Sequence, residues 1–492
     1  MSCHSLQGLS DVSFSVMTGR RRWSVVGAVA VVLAAAMGLV IGDASAGYAN
    51  SGQAENATAS VSAGDAGTRQ VPAELGSVTA VAAGTLHSIA LRSDGTVVAW
   101  GALNSWGQLG NGSTRPSLTP TPVCAVGQRS PCTEFLTGVI AIAAGTFHNL
   151  ALLRDRTVVA WGYNAYGQLG DRSNGDGYSP VRVCAVQVWG PPCDGLLSGV
   201  RTLSAGGAHS LAQLTDGSVV AWGYNSSGQL GDGTTVDRVT PVRVCAVGQV
   251  APCTRFLTGV RSIDAVLSHS LAAVDNAQAI AWGANYFGQL GDGTTVNRLT
   301  PVPVCAVGQV APCTRFLYAV KALAAEGSNS MALLGDGSAV TWGDNYSGQL
   351  GDGTRERRLT PVRVCAVGQV APCTRFLYGI RHIAGGDSHG IAQLSSGGVV
   401  AWGYNEVGQL GDGTSTNRLT PVRVCAVGQV APCTKYLSLI RAVSASYQHN
   451  LALQPDYTVA AWGWNEFGQL GNGASGRELI PVQVLAPRPA LR

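Results

Sequence analysis

Seven of the nine Trp-Gly dipeptides in this chain of 492 residues recur at almost constant spacing. Neighbouring pairs are separated by 60 or 61 residues, and they begin at Trp100, Trp161, Trp222, Trp282, Trp342, Trp402 and Trp462. A period of this length indicates a repeat architecture, in which each unit buries its apolar surface against its neighbours. The fold must therefore be built from seven copies of one unit.

One copy of the repeat reads as four short strands. The third copy places them at Gly199–Ala205, His209–Leu214, Ser218–Gly223 and Thr240–Val244. The Asp216-Gly217 dipeptide between the second and third is typical of a tight hairpin turn. No part of the unit carries a sustained helical period of 3.6 residues.

Four strands repeated seven times predict an all-β, seven-bladed β-propeller of four-stranded blades. A single blade cannot bury both of its faces, whereas a closed ring of blades can. The tryptophan of each Trp-Gly pair is then expected in the core between blades. A β-solenoid is a poorer fit, because 60 residues are far too many for one solenoid coil.

The repeat resembles that of the regulator of chromosome condensation family. The segments AAGTFHNLAL and WGYNAYGQLGD, within Ala143–Asp171, carry the resemblance most clearly, and similar segments recur over residues 76–484. The family implies a seven-bladed propeller, in agreement with the count of repeats. The family's nucleotide-exchange activity is not carried over, because this chain combines paired cysteines with an export-type N-terminus. Exported bacterial propellers with similar repeats imply protein binding through loop aromatics.

The N-terminal residues 1–46 are predicted to be a secretory signal peptide. Three arginines at 20–22 precede an uncharged apolar run, Ser24–Gly42, and an Ala44-Ser45-Ala46 cleavage pattern. The run of 19 residues also suits an uncleaved membrane anchor, so both readings stay open. Either Met1 or Met17 is a suitable start.

The remaining boundaries follow from composition. Residues 47–75 are rich in Ala, Ser, Gly and Thr and read as a flexible linker. The propeller is predicted over 76–484, followed by a short tail at 485–492. We therefore expect an exported protein, either secreted or held in the cell envelope.

Twelve of the 13 cysteines form six local pairs, each between consecutive repeats. The pairs are Cys124/Cys132, Cys184/Cys193, Cys245/Cys253, Cys305/Cys313, Cys365/Cys373 and Cys425/Cys433. Regular pairs behind an export signal predict disulfide-closed inter-strand loops, each contributing roughly 2.5 kcal/mol through restriction of the unfolded chain. A zinc site would require thiolates from neighbouring loops to combine. Because no loop follows the seventh repeat, we expect the chain ends to meet there, with the C-terminal strand completing the N-terminal blade.

Histidine occupies one position in six repeats, namely His87, His148, His209, His269, His389 and His449, and Asn329 replaces it in the fifth. An amide substitutes for a hydrogen-bonding imidazole better than for a metal ligand. We therefore expect backbone hydrogen bonds from these imidazoles, and neither a metal nor a cofactor.

Aromatic residues vary between repeats on either side of the Asn that follows each Trp-Gly pair. They are Trp106, Tyr163, Tyr166, Tyr224, Tyr286, Phe287, Tyr346, Tyr404, Trp464 and Phe467. Tyr and Trp dominate the energetics of many binding surfaces, so these are the candidate binding residues. The alternative is that they only pack between blades.

A second variable set precedes the histidine position and includes Glu326 and Asp387. These carboxyls come from adjacent repeats and would have to meet in any catalytic site. No nucleophile–base or metal-ligand spacing accompanies them.

These observations predict a non-enzymatic, exported, monomeric propeller that recognises an extracellular or envelope protein. Cell-wall glycan binding is the second hypothesis and a propeller lyase or hydrolase the third. A net charge of +4 gives no indication of a nucleic-acid partner.

Overall fold

The computed structural model describes residues 75, 77–101, 103–186, 193 and 195–486. In this part of the chain, seven antiparallel four-stranded sheets follow one another, each made of four consecutive strands. The predicted all-β, seven-bladed propeller is confirmed. None of the described segments is a helix long and apolar enough to cross a bilayer. The predicted signal or anchor, almost all of the linker and most of the tail lie outside the described residues.

Blades 1 to 4 contain the first sixteen strands. These are β1 (Val78–Ala83), β2 (Ser88–Arg92), β3 (Val97–Gly101), β4 (Ser117–Pro122), β5 (Val139–Ala144), β6 (His148–Leu153), β7 (Val158–Gly162), β8 (Gly177–Arg182), β9 (Val200–Ala205), β10 (His209–Leu214), β11 (Val219–Gly223), β12 (Arg238–Arg243), β13 (Val260–Val266), β14 (His269–Val274), β15 (Ala279–Gly283) and β16 (Arg298–Pro303).

Blades 5 to 7 contain the remaining twelve. These are β17 (Val320–Glu326), β18 (Asn329–Leu334), β19 (Ala339–Gly343), β20 (Arg358–Arg363), β21 (Ile380–Gly385), β22 (His389–Leu394), β23 (Val399–Gly403), β24 (Arg418–Arg423), β25 (Ala442–Ser446), β26 (His449–Leu453), β27 (Val459–Trp464) and β28 (Arg477–Gln483).

Strand order within each blade explains the sequence pattern. The first strand lines the central channel and the fourth is the outer edge. The two middle strands are covered by neighbouring blades on both faces, so β11, with the sequence VVAWG, is buried throughout. Near-continuous apolar sequence is what strands buried on both faces require.

The repeated tryptophans join each blade to the one before it. Trp222 is fully buried in a cluster with Leu150, Val158 and Leu169 of blade 2. Its Nε1 donates to the backbone oxygen of Gln168 at 2.9 Å. All seven tryptophans are fully buried and make the equivalent bond to the preceding blade. Their predicted place in the core between blades is confirmed.

Ring closure follows the same rule as every other junction. Trp100 of blade 1 donates to the oxygen of Gln469 in blade 7 at 2.9 Å, in a core shared with Leu470 and Val484. The C-terminal strand β28 pairs with β27, and β1 pairs with β2. The expected strand shared between the chain ends is therefore wrong: the repeat starts and stops at a blade boundary, so closure is made by side-chain packing.

The cysteine loops connect the outer strand of one blade to the inner strand of the next. All six predicted pairs are disulfide-bonded, with Cα–Cα distances of 5.5 to 5.8 Å. They are Cys124–Cys132, Cys184–Cys193, Cys245–Cys253, Cys305–Cys313, Cys365–Cys373 and Cys425–Cys433. Cys245 forms an isolated antiparallel bridge with Phe256, so the loop is a short hairpin.

The two cysteines of a pair lie in different surroundings, which the sequence did not predict. The first is buried at 0 to 1% exposure, whereas the second is partly exposed and lies beside the long loop between the third and fourth strands of its own blade. The Sγ atoms of Cys132, Cys193 and Cys373 lie 3.8, 4.0 and 3.9 Å from the backbone oxygens of Asn111, Asp171 and Asp352. In blade 6, a Cβ added to Gly413 would lie 3.7 Å from Cys433 Sγ.

These sulfur contacts are packing contacts, because a disulfide sulfur carries no hydrogen to donate. The predicted disulfide-closed inter-strand loops are confirmed, and the disulfides in addition pack against the long loops. The hairpin touches the following blade as well, since Thr300 Oγ1 of β16 donates to the oxygen of Gln249 at 3.0 Å. The cysteine loops thus form ties at the periphery of the ring.

Candidate functional site

The two ends of the ring carry different loops. At one end, which we call the loop face, the turn between the first and second strands lies beside the loop between the third and fourth: Tyr224 N donates to the oxygen of Ala208 at 2.9 Å. At the opposite end, the Asp-Gly turn meets the residues that follow each cysteine loop, since Val260 N donates to the oxygen of Gly217 at 3.0 Å. The variable positions noted in the sequence therefore converge on the loop face.

Each long loop is organised around the Asn that follows Trp-Gly. Asn225 is fully buried; its Oδ1 accepts from Leu230 N at 3.0 Å, and its Nδ2 donates to the oxygens of Thr234 and Val236. Asp232 accepts from Thr234 N at 3.0 Å and pairs with the Arg238 guanidinium. Turn chemistry thus accounts for the Gly-Asp-Gly-Thr segment, and the loops are fixed platforms for the residues flanking the Asn.

Aromatic side chains from blades 7, 1, 2 and 3 pack together on the loop face. Trp106 contacts Phe147 and Tyr163, with ring centroids 4.7 and 5.6 Å apart. Tyr166 continues the contacts to Tyr224 at 4.6 Å. We call this cluster the aromatic patch; it consists of Leu86, Leu103, Trp106, Phe147, Tyr163, Tyr166, Tyr224, Trp464 and Phe467.

The other four predicted aromatics lie in blades 4 to 6, away from this cluster. Tyr286 and Tyr346 are 62% and 75% exposed. Phe287 lies beneath the guanidinium of Arg357, and the Tyr404 hydroxyl donates to Glu406 at 3.1 Å. The ten residues therefore form one continuous patch and several separate positions rather than an even ring.

Sequence reasoning missed three members of the patch, Leu86, Leu103 and Phe147. Leu103 immediately precedes the Asn of its long loop, and Leu86 and Phe147 immediately precede the histidine position, where other repeats have Ala, Ser or Gln. Leu86 and Phe147 are nearly buried, at 6% and 7% exposure. The sequence signal that could have identified Leu86 and Phe147 is a large apolar side chain where the other repeats have a small or polar one.

The channel has acidic groups at one side of its wall. Its cavity of about 340 Å³ is lined by the inner strands of all seven blades. The described residues that line it include Asp264 and Asp387 but no Arg, Lys or His. Burial raises the pKa of each of these two carboxyls to about 6. Asp344 further raises the pKa of Asp387. Burial raises the pKa of Tyr447, and Asp387 raises it further. We call Asp344, Asp387, Tyr404, Glu406 and Tyr447 the acidic mouth.

Asp264 also ties blades together inside the channel. Its Oδ1 accepts from Ser204 Oγ of blade 3 at 3.0 Å, and its Oδ2 accepts from Ala325 N of blade 5 at 2.7 Å. Ser444 makes the equivalent bond to Ala83 N across the ring closure at 3.1 Å. Asp264 is thus a structural carboxyl.

The repeated histidines form hydrogen bonds between blades. His209 Nε2 lies 3.0 Å from Ser270 Oγ, and His389 Nε2 lies 2.8 Å from Asn450 Oδ1. The partner of Nε2 is a side chain of the next blade rather than the expected backbone atom, and His209 in addition contacts the backbone of Leu267 in the next blade. In the described part of the chain, no three His, Cys, Asp or Glu side chains form a group suited to a metal ion.

Glu326 and Asp387 do not share an open catalytic site. Glu326 is fully buried between blades 5 and 6, where its side chain lies against Gly385 and accepts from Asn329 Nδ2. Asp387 is partly exposed and lines the channel. The two carboxyls therefore lie in different environments, that of Glu326 buried between blades and that of Asp387 at the channel wall.

Two repeat models match the chain, both describing the regulator of chromosome condensation (RCC1) repeat. One covers residues 94–152, 216–272, 277–320, 336–393, 396–453 and 458–490. The other covers residues 78–108, 139–168, 200–229 and 380–409. Together they reach all seven blades.

Similar proteins include a plant receptor and a human ligase. The ultraviolet-B receptor UVR8 of Arabidopsis thaliana is 31% identical over 350 residues, which are 71% of this chain and 70% of the receptor. The probable E3 ubiquitin-protein ligase HERC6 of Homo sapiens is 30% identical over 275 residues, or 56% of this chain and only 24% of the ligase.

Solved structures give the same fold. Yeast RCC1 (Prp20), from a complex with Kap60, matches with a TM-score of 0.60 and 21% identity, over 85% of this chain and 86% of that chain. Human WBSCR16 matches with a TM-score of 0.58 and 23% identity, over 77% and 87% of the two chains. The chain has seven blades that share the Trp-Gly loop, and both the repeat models and the solved structures match it. It therefore belongs to the RCC1-repeat family.

Proposed function

We propose that this chain is an exported, non-enzymatic propeller that binds a protein partner through its loop face. The observation that carries the proposal is the aromatic patch, which is continuous across four of the seven blades. Trp and Tyr anchors held by their neighbours lose little side-chain entropy on binding, and such residues dominate the energetics of protein interfaces. The patch is confined to one side of an otherwise repetitive ring, as recognition of a single partner requires.

The acidic mouth adds a second recognition element beside the patch. Tyr447 joins the two, because its ring lies 6.0 Å from that of Trp464. Asp344, Asp387 and Glu406 supply negative charge next to an apolar surface. A partner that places apolar side chains on the patch and a Lys or Arg over the mouth would match both halves.

Export is supported by the residues before the propeller and by the cysteines. An arginine cluster, an apolar run and a small-residue cleavage pattern precede the ring. Six disulfides are characteristic of proteins in oxidising compartments. We therefore propose that the partner lies outside the cytoplasm and that the chain is secreted or held in the envelope. Membrane anchoring through residues 24–42 is the alternative.

Related propellers provide a precedent for protein binding. The structural study of Prp20p from Saccharomyces cerevisiae describes its binding properties to Gsp1p and histones. That propeller resembles this one with 21% identity, so the likeness concerns the fold and its partners are not transferred.

The experiment is affinity capture from envelope and supernatant fractions, with the natural full chain and two variants. The patch variant carries Trp106→Ala and Phe467→Ala. The control variant carries Val310→Ser, which changes a cysteine-loop residue that is 84% exposed. We expect a partner that is captured by the natural chain and the control but lost by the patch variant, with the patch variant still folded at the temperature of the experiment.

A partner retained by the patch variant would contradict the assignment to this surface. Binding to purified cell-wall material that depends on the same residues would instead favour the glycan hypothesis. Turnover lost in Asp387→Asn without loss of fold would favour an enzyme.

A further inference from the structure

One of the seven junctions between blades lacks the histidine bond. At the other six, an imidazole meets a Ser or Asn of the next blade. Between blades 5 and 6 the two positions are Asn329 and Gly390, and glycine offers no side-chain partner. At this junction the backbone oxygen of Gln349 accepts one hydrogen bond, from Trp402 Nε1 at 2.9 Å. At the other six junctions the corresponding backbone oxygen accepts a second hydrogen bond, from the Ser or Asn that meets the imidazole.

Glu326 occupies the altered junction. It stands where four repeats have Gly, and it is fully buried. Gly385 makes room for it: a Cβ at this position would lie 1.8 Å from Glu326 Cγ, and the other six repeats all carry Ala there. Gly390 makes room for the indole of Trp402, whose Cε2 would lie 2.6 Å from an added Cβ. Glu326, the two glycines and Asn329 all depart from the repeat at this one junction, and each departure fits the others.

The side chains of Glu326 and Asn329 have one hydrogen-bond donor too few for their buried acceptors. Asn329 Nδ2 donates to Glu326 Oε2. Among the described residues, Glu326 Oε1 and Asn329 Oδ1 are then both buried acceptors without a donor. An ionised carboxylate supplies none, whereas a carboxylic acid supplies one O–H. A proton on Oε1 would donate to Asn329 Oδ1 and close a cyclic acid–amide pair with both acceptors satisfied.

The surroundings disfavour the ionised form. Burial raises the pKa of Glu326 well above its ordinary value, and the nearby Asp264 carboxyl raises it further, whereas the bond from Asn329 acts in the opposite direction. Asp387 lies at the next turn, where its Oδ1 would be 2.4 Å from a Cβ on Gly327. His389 at the start of β22 is kept neutral by burial, which lowers its pKa to about 4. Within the part of the chain that the structure describes, no Arg or Lys lines the adjoining channel.

We propose that the junction between blades 5 and 6 is a proton-dependent joint, closed by the acid form of Glu326 and loosened when that proton is lost at alkaline pH. Below the pKa of an unfolded Glu, the folded and unfolded chains both hold the proton and the joint is unaffected. As the pH rises above that value, only the folded chain retains the proton, so the stabilisation declines until the buried carboxyl ionises. The joint is independent of the proposed partner, and its effect is confined to one junction of the ring.

Hydrogen–deuterium exchange of the full oxidised chain tests this joint. We expect β17, β18, β21 and β22 to lose protection on moving from mildly acidic to alkaline pH, after correction for intrinsic exchange. The junction between blades 2 and 3, closed by His148 and Ser210, is the internal reference. Loss of one buried hydrogen bond corresponds to an increase in opening of about tenfold.

Glu326→Gln is the matched variant, because its amide supplies the missing donor without a titrating proton. In this variant we expect the junction between blades 5 and 6 to keep the same protection against hydrogen exchange at all pH values tested. An equal pH response in all junctions, or the same response in Glu326→Gln, would overturn the proposal.

Infrared spectroscopy of the natural full chain decides the matter even if the variant does not fold. Above neutral pH, Asp264 and Asp387 have ionised, since the pKa of each is about 6. A remaining absorption band from a protonated carboxyl is expected and is assigned to Glu326. A spectrum without that band would show that Glu326 is ionised and that the joint does not exist.

Discussion

His148 Nε2 lies 3.0 Å from Ser210 Oγ, and this contact joins blade 2 to blade 3 inside the ring. Ser210 Oγ in turn donates to the oxygen of Gln168 at 2.9 Å, the same oxygen that accepts from Trp222. Ser210 and Trp222 therefore share one backbone acceptor, and His148 is linked to it through Ser210. The recurrence of these residue types follows from this shared bond.

Replacing His148 by Ala should destabilise the ring by about 2 to 4 kcal/mol, because it removes a fully buried imidazole, leaves a cavity and breaks the bond to Ser210. His148→Asn should lose less, since Asn329 fills the equivalent position in blade 5. The free energy of unfolding from denaturant titration checks this. His382→Ala, at an exposed position of β21, is the control and should be nearly neutral. An equal loss in both alanine variants would contradict the structural role.

The ring should be less stable at pH 5 than at pH 7. Burial lowers the pKa of the six histidines to between about 3 and about 4. Below pH ~6.5 these histidines bind protons in the unfolded chain but not in the folded chain. Each such proton lowers the free energy of unfolding by about 1.4 kcal/mol per pH unit. Asp264, Asp387 and Glu326 act in the opposite direction, because their raised pKa values let the folded chain hold extra protons.

Burial also raises the pKa of Asp176 and Asp237, so five carboxyls oppose the six histidines. The six histidines outweigh them, and the net slope of stability against pH is positive across this interval. The denaturant midpoint should therefore increase from pH 5 to pH 7. Each His→Asn replacement that folds should reduce that increase. A midpoint that is unchanged or higher at pH 5 would contradict the assignment of the histidines as neutral buried groups.

Much of the fold could be predicted from the sequence, because the repeat places the same residues at the same structural position seven times. The strand bounds in the third repeat were close: the fourth strand was expected at Thr240–Val244 and lies at Arg238–Arg243. Ring closure was mispredicted, because a repeat pattern does not reveal which strands share a blade at the chain ends. The side-chain acceptors of the histidines were also missed, since they come from the next repeat and no spacing within one repeat indicates them.

The cysteine pairs were predictable only in part. Their short spacing identified which cysteines are bonded, and the structure confirms all six pairs. The spacing did not indicate that the second sulfur packs against the long loop of its own blade, as it does at Cys132, Cys193, Cys373 and Cys433. Cys132 and Asn111 are 21 residues apart in the chain, and only the folding of the blade brings them together.

The candidate site was less predictable for a physical reason. Residue type alone identified the aromatics at the loops, but not which of them contact one another. Trp106 meets Tyr163 because blades 1 and 2 are adjacent, whereas Tyr346 in blade 5 stays exposed. Such contacts depend on side-chain direction across a junction between blades, which one repeat considered alone does not contain.

Removing one disulfide should lower stability by roughly 2.5 kcal/mol, the value for closing so short a loop in the unfolded chain. We suggest Cys305→Ser with Cys313→Ser, at a loop with a Cα–Cα distance of 5.7 Å. Denaturant unfolding of the oxidised natural chain and of the variant measures the difference. A thiol count under denaturing, non-reducing conditions is the control, and it should find no free cysteine among the twelve of the propeller. Twelve reactive thiols would contradict the disulfide assignment.

Gly385 and Glu326 should behave as a coupled pair in a double-mutant cycle. Gly385→Ala alone introduces a methyl group 1.8 Å from Glu326 Cγ, so it must displace the buried side chain and should destabilise the ring by about 1 to 3 kcal/mol. Glu326→Gly removes that obstacle, so adding Gly385→Ala to it should be tolerated. The coupling free energy, obtained from denaturant unfolding of the natural chain, both single variants and the double variant, should be at least about 1 kcal/mol. Gly428→Ala is the control, because no atom lies within 4 Å of its added Cβ, although its positive φ of 73° adds a backbone strain of its own. Additive effects of the two changes would show that Glu326 does not occupy the space that Gly385 leaves free.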